Sequence, residues 1–242
     1  MSGNRNKPRS ARLMQADAFR NQAAGVKTHP HVQRQPGDFI MPTRLFYSEG
    51  SPYARICRMA LREGGLIGQI HEVTTTLRDP AAPVLAHSPV GRVPTLVLPD
   101  GTTLTETTLV LGWLDRMGSQ PPMLPADAKG LAAYGRVLGL LDGIAVWNRE
   151  LRRPVEERSP SVIALETGRA ARIADQLDRD VAARGYAAID AGFLTLASIL
   201  GYAERRHTVW HWREGRPNLE AWFAGASRRA AFQQTMPPPS GI

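Results

Sequence analysis

Cysteine is almost absent from this chain. Its 242 residues hold only Cys57, which excludes an intrachain disulfide, a Cys-x-x-Cys redox pair and every multi-cysteine zinc site. A reducing compartment fits that scarcity, so a cytoplasmic location is expected. Long apolar runs are missing as well. None approaches the roughly 18 consecutive apolar residues that a membrane span needs, and no membrane partner is expected. Nor does the chain carry a phosphate-cradling glycine loop, a dinucleotide Gly-x-Gly-x-x-Gly after a strand, or the Gly-x-Ser-x-Gly elbow of serine hydrolases. His207 and His211 stand four apart, but no glutamate flanks the first and no third ligand joins them. A surface pair is expected there, and no metal.

What remains is an ordinary globular composition, 43% apolar and 21% charged, with 30 basic residues against 22 acidic ones and a net charge of +8. That charge is unevenly placed. Residues 1–40 hold seven arginines and lysines and two aspartates, a balance of +5 that leaves +3 for the other 202. The segment is poor in β-branched and aromatic residues and holds no helical period beyond about two turns. It also lacks the serine enrichment of a transit peptide and the apolar core of a secretory signal. We read it as a basic arm ahead of a domain that begins at Met41. Only Phe19 and Phe39 interrupt its charges with aromatic rings, so a stacking platform is lacking and nucleic acid is not an expected partner.

From Met41 the pattern changes. A short apolar run, Arg44 to Tyr47, and a break at 48–50 lead to Ser51-Pro52, a helix start in which the serine oxygen caps backbone N–H groups and proline has none to lose. Gly64-Gly65 supplies a left-handed stop. Ile70 to Thr75 reads as a strand and Ala82 to Ala86 as a short helical piece. Thr95 to Leu98 and Thr102 to Leu104 flank a Pro-Asp-Gly turn, which is a hairpin signal. A helix over Thr107 to Met117 completes a β-α-β-α-β-β-α order within 41–118, a small mixed sheet with helices packed on it.

Residues 119–127 are a linker by composition, and no convincing strand follows. Leu131, Tyr134, Leu138, Leu141 and Ala145 recur at helical spacing, as do Ile173, Leu177 and Val181. Asp190 to Ala203 is apolar nearly all round, the mark of a central buried helix. A last amphipathic helix opens at Pro217. We therefore expect an all-helical domain over 128–237 and a tail over 238–242.

Four stretches carry a family likeness: Ser51-Pro52-Tyr53-Ala54-Arg55 with Ala60-Leu61 beyond, Gly91-Arg92-Val93-Pro94, Glu106-Thr107, and Arg216-Pro217-Asn218-Leu219-Glu220-Ala221-Trp222. In order and spacing, the chain from Met41 to about Pro237 resembles a soluble glutathione transferase, of the serine type. The resemblance implies an α/β thioredoxin-like domain followed by an all-α helical domain. It also implies a cytoplasmic homodimer serving detoxification, with glutathione as co-substrate and a small hydrophobic electrophile as its partner.

By the same resemblance, Ser51 is the catalytic hydroxyl that stabilises the glutathione thiolate, with Tyr47 and then Ser48 as rivals. Val93 pairs its backbone with the cysteinyl residue of glutathione, and Val93-Pro94 is a cis bond. Arg92 meets the glycine carboxylate. Glu106 and Thr107 hold the γ-glutamyl end, carboxylate against ammonium and hydroxyl with helix N–H groups against carboxylate. Tyr134, Trp147, Asn148 and Arg149 either face the electrophile or serve packing and surface. Asp190 resembles the acid of the family's capping box, but Ala187 stands where its hydroxyl partner belongs. Other activities use the same thiol, namely glutathione-dependent isomerisation, reduction or lyase chemistry. A non-catalytic scaffold with a basic arm is the alternative outside enzymes.

Overall fold

The computed structural model describes residues 41–240. The expectation placed on residues 1–40 lies outside them.

Two β-rich segments with a helix between them make a parallel pair with a helical crossover the natural connection, and the sheet is built on such a pair. Strand β1 (Thr43–Tyr47) pairs in parallel with β2 (Ile70–Thr74), Thr43 opposite Ile70, across helix α1 (Pro52–Glu63). On its other side β1 runs antiparallel to β3 (Thr95–Val97), with Phe46 opposite Thr95, and β3 turns back into β4 (Thr103–Thr105). Sheet order is therefore β2-β1-β3-β4. The hairpin closes where expected: the Leu98 N–H donates to the Thr102 carbonyl at 2.8 Å, and Gly101 takes the positive φ of 85° that the turn requires. The stop of α1 divides its labour. Gly64 is the cap at an ordinary φ of −86°, and Gly65 supplies the left-handed residue at 70°.

Helix α2 (Thr107–Arg116) ends the sheet portion. The segment after it reads as a linker by composition but is tied down tightly. Asp115 accepts from the N–H groups of Met123 (2.5 Å) and Leu124 (2.9 Å), and the carbonyl of fully buried Met123 accepts from the Ala191 N–H at 2.7 Å. Residues 119–127 thus couple the sheet portion to the helices.

Those helices are α3 (Ala128–Leu151), α4 (Pro160–Ala182), α5 (Ala191–Arg206), α6 (Pro217–Ala226) and the short α7 (Ala230–Gln233). By length and composition α3 is apolar enough to cross a membrane, with a mean hydropathy of 1.2. Here it packs against α4 and α5. Its buried apolar side chains are Tyr134, Val137, Leu140, Leu141, Ile144 and Trp147, whereas Leu131 of the expected stripe is exposed. Every residue of α5 from Ala191 to Ala203 is buried, as a central helix demands. Asp190 is itself the N-cap of α5: its side chain accepts from the Phe193 N–H at 3.0 Å, so the missing hydroxyl at Ala187 leaves the cap in place.

Helix α5 also sets the position of α1. Ser198 donates to the Pro52 carbonyl at 2.9 Å, holding the first turn of α1 beside Ser51. Buried Arg55 donates to the Phe232 carbonyl at 3.1 Å and stacks on that ring at 4.1 Å. The expected surface pair is not one. His207 is fully buried beyond the end of α5, edge-on to Trp147 at 4.4 Å, while His211 is exposed. Among the described residues no group of His, Cys, Asp or Glu is arranged to hold a metal ion. Cys57 is a buried, free thiol whose pKa is pushed up by burial.

Candidate functional site

A cleft of about 410 Å³ opens between the sheet portion and α3. Ser51, Arg92, Val93, Pro94, Glu106 and Thr107 all line it. They come from three separate junctions, so only the fold brings them together.

Ser51 sits where the loop after β1 enters α1. Its backbone is extended (φ −86°, ψ 116°), and its Oγ accepts from the Ala54 N–H at 3.2 Å. Capping and contact with a thiol look like rival uses of one hydroxyl, but they differ in kind. The cap takes a lone pair and leaves the O–H hydrogen to donate into the cleft. Tyr47 is not part of the lining. Its ring lies under the Arg58 guanidinium, 3.9 Å from the centroid. Ser48 is also outside, its carbonyl accepting from the Ser51 N–H at 3.0 Å.

The opposite wall is the approach to β3. Val93-Pro94 is a cis bond, as is Gln120-Pro121, which no motif in the sequence marks. Among the described residues neither the N–H nor the C=O of Val93 has a partner, so a strand edge faces the cleft. Arg92 is exposed beside it, and its guanidinium makes no ion pair among the described residues.

At the far end β4 passes directly into α2. Glu106 makes the passage with φ 72° and ψ 130°, a conformation unfavourable for any residue with a Cβ. Such outliers cost on the order of 1–3 kcal/mol and collect at ligand clamps. Glu106 stands at the N-cap position of α2, but among the described residues no side chain caps the helix. The first N–H groups of α2 remain free, which favours an anion there. Thr107 Oγ1 is buried and has no hydrogen-bond partner among the described residues.

Apart from Arg149, the wall formed by α3 went unread in the sequence. Asp142, Val146 and Arg149 follow one another down α3 at helical spacing and face the cleft, with Tyr53 and Leu77 across from them. Tyr53 donates to Asp142 Oδ1 at 2.5 Å; burial first, then that bond, pushes its hydroxyl pKa up, so it stays protonated. Of the four residues expected either to face the electrophile or to pack, only Arg149 faces the cleft. Tyr134 and Trp147 are core residues, and Asn148 is buried with its amide on the Arg206 carbonyl at 3.1 Å.

The lining of the cleft thus offers a guanidinium, a carboxylate, a helix N-terminus, a free strand edge and a hydroxyl. That pattern suits a short peptide bearing carboxylates at both ends and one ammonium.

Comparison with known proteins gives the same direction. The family described as glutathione S-transferase, N-terminal domain, matches residues 50–117. An uncharacterized GST-like protein of Escherichia coli, YibF, is 25% identical over 208 residues, covering 81% of this chain and 98% of its own length. A glutathione transferase family member of Pseudomonas fluorescens, solved with bound glutathione, superposes with a TM-score of 0.74 at 27% identity, covering 81% of this chain and 99% of that one. A glutathione S-transferase of Methylobacterium radiotolerans in complex with glutathione sulfonate gives 0.72 at 27% identity, covering 84% and 98%.

Proposed function

We infer the activity of this chain from one premise, that it belongs to the glutathione S-transferase family. In this reading the cleft binds glutathione and raises the reactivity of its thiol toward a small electrophile. The observation that carries it is Ser51, whose oxygen is engaged as an acceptor by Ala54 while its hydrogen remains free at the N-terminus of α1.

An unperturbed thiol has a pKa of about 8.5 and is largely protonated at neutral pH. Donation from Ser51, together with the positive end of the α1 dipole, stabilises the thiolate and lowers that value. The glycine carboxylate lies at Arg92, the cysteinyl backbone pairs with Val93 beside Pro94, the ammonium lies at Glu106, and the γ-glutamyl carboxylate takes Thr107 Oγ1 and the N–H groups of α2. Relatives solved with glutathione or glutathione sulfonate support glutathione as the ligand. Leu77, Val146 and the ring of Tyr53 form an apolar seat for the body of the electrophile. A homodimer in the cytoplasm, disposing of reactive electrophiles, completes the reading.

The test is the pKa of protein-bound glutathione, followed by thiolate absorbance, in the wild type, Ser51→Ala and Tyr47→Phe. The Ser51 change should raise it most. An unchanged value in Ser51→Ala, with a rise in Tyr47→Phe, would transfer the role to Tyr47. No binding to immobilised glutathione and no conjugation of a halogenated aromatic would end the reading.

A further inference from the structure

Once glutathione is accounted for, two charged side chains of the cleft lining are left, Asp142 and Arg149. Glutathione brings two carboxylates and one ammonium. On the reading above, Arg92 meets one carboxylate, the α2 terminus with Thr107 meets the other, and Glu106 meets the ammonium. Asp142 is occupied by the Tyr53 hydroxyl at 2.5 Å. A second guanidinium is left over on the helical wall, that of Arg149.

Its isolation stands out against its neighbours. Arg152 donates to Asn148 Oδ1 at 2.9 Å, Arg153 to the Glu157 carbonyl at 3.0 Å, and Arg158 to the Leu151 carbonyl at 2.6 Å. The adjacent acid, Glu150, accepts from the Ser159 N–H at 2.9 Å. Arg149 alone in this group makes no side-chain hydrogen bond or ion pair among the described residues, and it is the one that faces the cleft. It lies one turn beyond Val146, so a ligand resting its apolar body on Val146 presents its far end to the guanidinium. A planar fork of donors is matched best by a carboxylate.

We propose that Arg149 anchors a carboxylate on the electrophilic substrate, so that the second substrate is a small electrophile carrying a negative charge. This rests on the glutathione reading and adds to it the class of the second substrate. With 4-chloro-3-nitrobenzoate as the probe, the thiolate sulfur attacks the chlorine-bearing ring carbon. The C–S bond forms, the C–Cl bond breaks, and chloride leaves with the bonding pair. The carboxylate takes no part except to be held.

Two measurements test it on the full chain. The first is binding of glutathione, S-carboxymethylglutathione and S-carbamoylmethylglutathione to the wild type, Arg149→Lys and Arg149→Gln. The two S-substituted ligands have nearly the same shape and differ in charge. A charge-assisted bond at a solvent-accessible site corresponds to a preference of about tenfold for the carboxymethyl ligand in the wild type. Arg149→Lys should keep part of that preference, and Arg149→Gln should bring it to about one. The second is the ratio of kcat/KM for 4-chloro-3-nitrobenzoate over 4-chloro-3-nitrobenzamide, which should fall by the same factor in Arg149→Gln.

If glutathione itself fails to bind the wild type, the underlying reading falls. If glutathione binds but the wild type does not prefer the charged ligand, or Arg149→Gln keeps the preference, this inference alone is overturned. It is equally overturned if Arg149→Gln weakens glutathione and both derivatives by one common factor, because the guanidinium then belongs to glutathione.

Discussion

The hydroxyl of Tyr53 donates to the carboxylate of Asp142 at 2.5 Å, joining the first turn of α1 to the middle of α3 across the cleft. This bond therefore ties the wall that carries Ser51 to the wall that carries Val146 and Arg149.

Tyr53→Phe should separate the chemistry of the thiol from the seating of the electrophile. The pKa of bound glutathione should stay within about 0.3 units of the wild type, since Tyr53 remains protonated at neutral pH and Ser51 keeps its place. The KM for the electrophile should rise severalfold. Stability should fall by about 1 kcal/mol, because the Asp142 carboxylate is exposed and can be rehydrated. Steady-state kinetics and urea unfolding check both, and a thiol pKa raised by a full unit would give Tyr53 a direct role.

The two duties of Ser51 can be divided by substitution. Ser51→Ala loses both the cap and the donor, so stability should fall by about 1 kcal/mol and turnover with it. Ser51→Asp keeps a good capping acceptor but offers no hydrogen and places a negative charge beside the thiol. Its unfolding midpoint should match the wild type within error while its activity falls at least as far as that of Ser51→Ala. Activity retained in Ser51→Asp would show that capping alone is what the position supplies.

The sheet portion is legible in the sequence because its signals are local. Ser51-Pro52, Gly64-Gly65 and the Pro-Asp-Gly turn each specify a backbone geometry within a few residues, and the six expected site residues that line the cleft all sit at junctions between elements. The helical wall is not local. On α3 the exposed Leu131 satisfies the helical period as well as buried Tyr134 does, and only packing against α4 and α5 decides between faces. Asp142 and Arg149 look like solvated charges until α1 is laid opposite them. His207 misleads for the same reason. Just past the end of a helix, beside Thr208 and one turn's spacing from His211, it has a surface context in sequence, and it is buried only because Trp147 and Asn148 close over it.

Burial makes His207 a source of acid sensitivity. Its pKa is pushed down to about 4, by desolvation first and then by the nearby Arg152 charge, from an ordinary value of about 6.5. Between those values the unfolded chain binds a proton that the folded chain does not. The stabilisation is therefore complete above about pH 6.5 and is lost as pH falls toward 4, about 3 kcal/mol in all. His207→Phe keeps an aromatic ring beside Trp147 and removes the titration. Urea unfolding at pH 7 and pH 4.5 should show a smaller loss in the variant by roughly 2 kcal/mol; equal losses would clear His207 of the effect.

Gly201 is needed for space. A Cβ there would lie 2.5 Å from Arg55 Nη1 and 2.8 Å from the Phe232 ring, inside the buried contact that ties α1 to the C-terminal helices. In an exposed helix Gly→Ala stabilises by about 1 kcal/mol. Here overpacking of about 1–3 kcal/mol should outweigh it, and Gly201→Ala should lower the urea midpoint. A raised midpoint would mean that Arg55 moves aside without cost.

Thr107 offers the sharpest separation of stability from binding. Its Oγ1 is buried and unpartnered among the described residues, so the fold bears the desolvation of a hydroxyl and gets no bond in return. Thr107→Val replaces that oxygen by a methyl group of nearly the same size and β-branching. In the absence of ligand it should be as stable as the wild type, or more stable by up to about 1 kcal/mol. Glutathione affinity should move the other way and weaken about tenfold, because a carboxylate at the α2 terminus loses one charge-assisted bond while keeping the backbone N–H groups. Thr107→Ser, which keeps the hydroxyl, should restore most of the affinity. A Thr107→Val protein that binds glutathione as tightly as the wild type would mean that the carboxylate is held by the N–H groups of α2 alone.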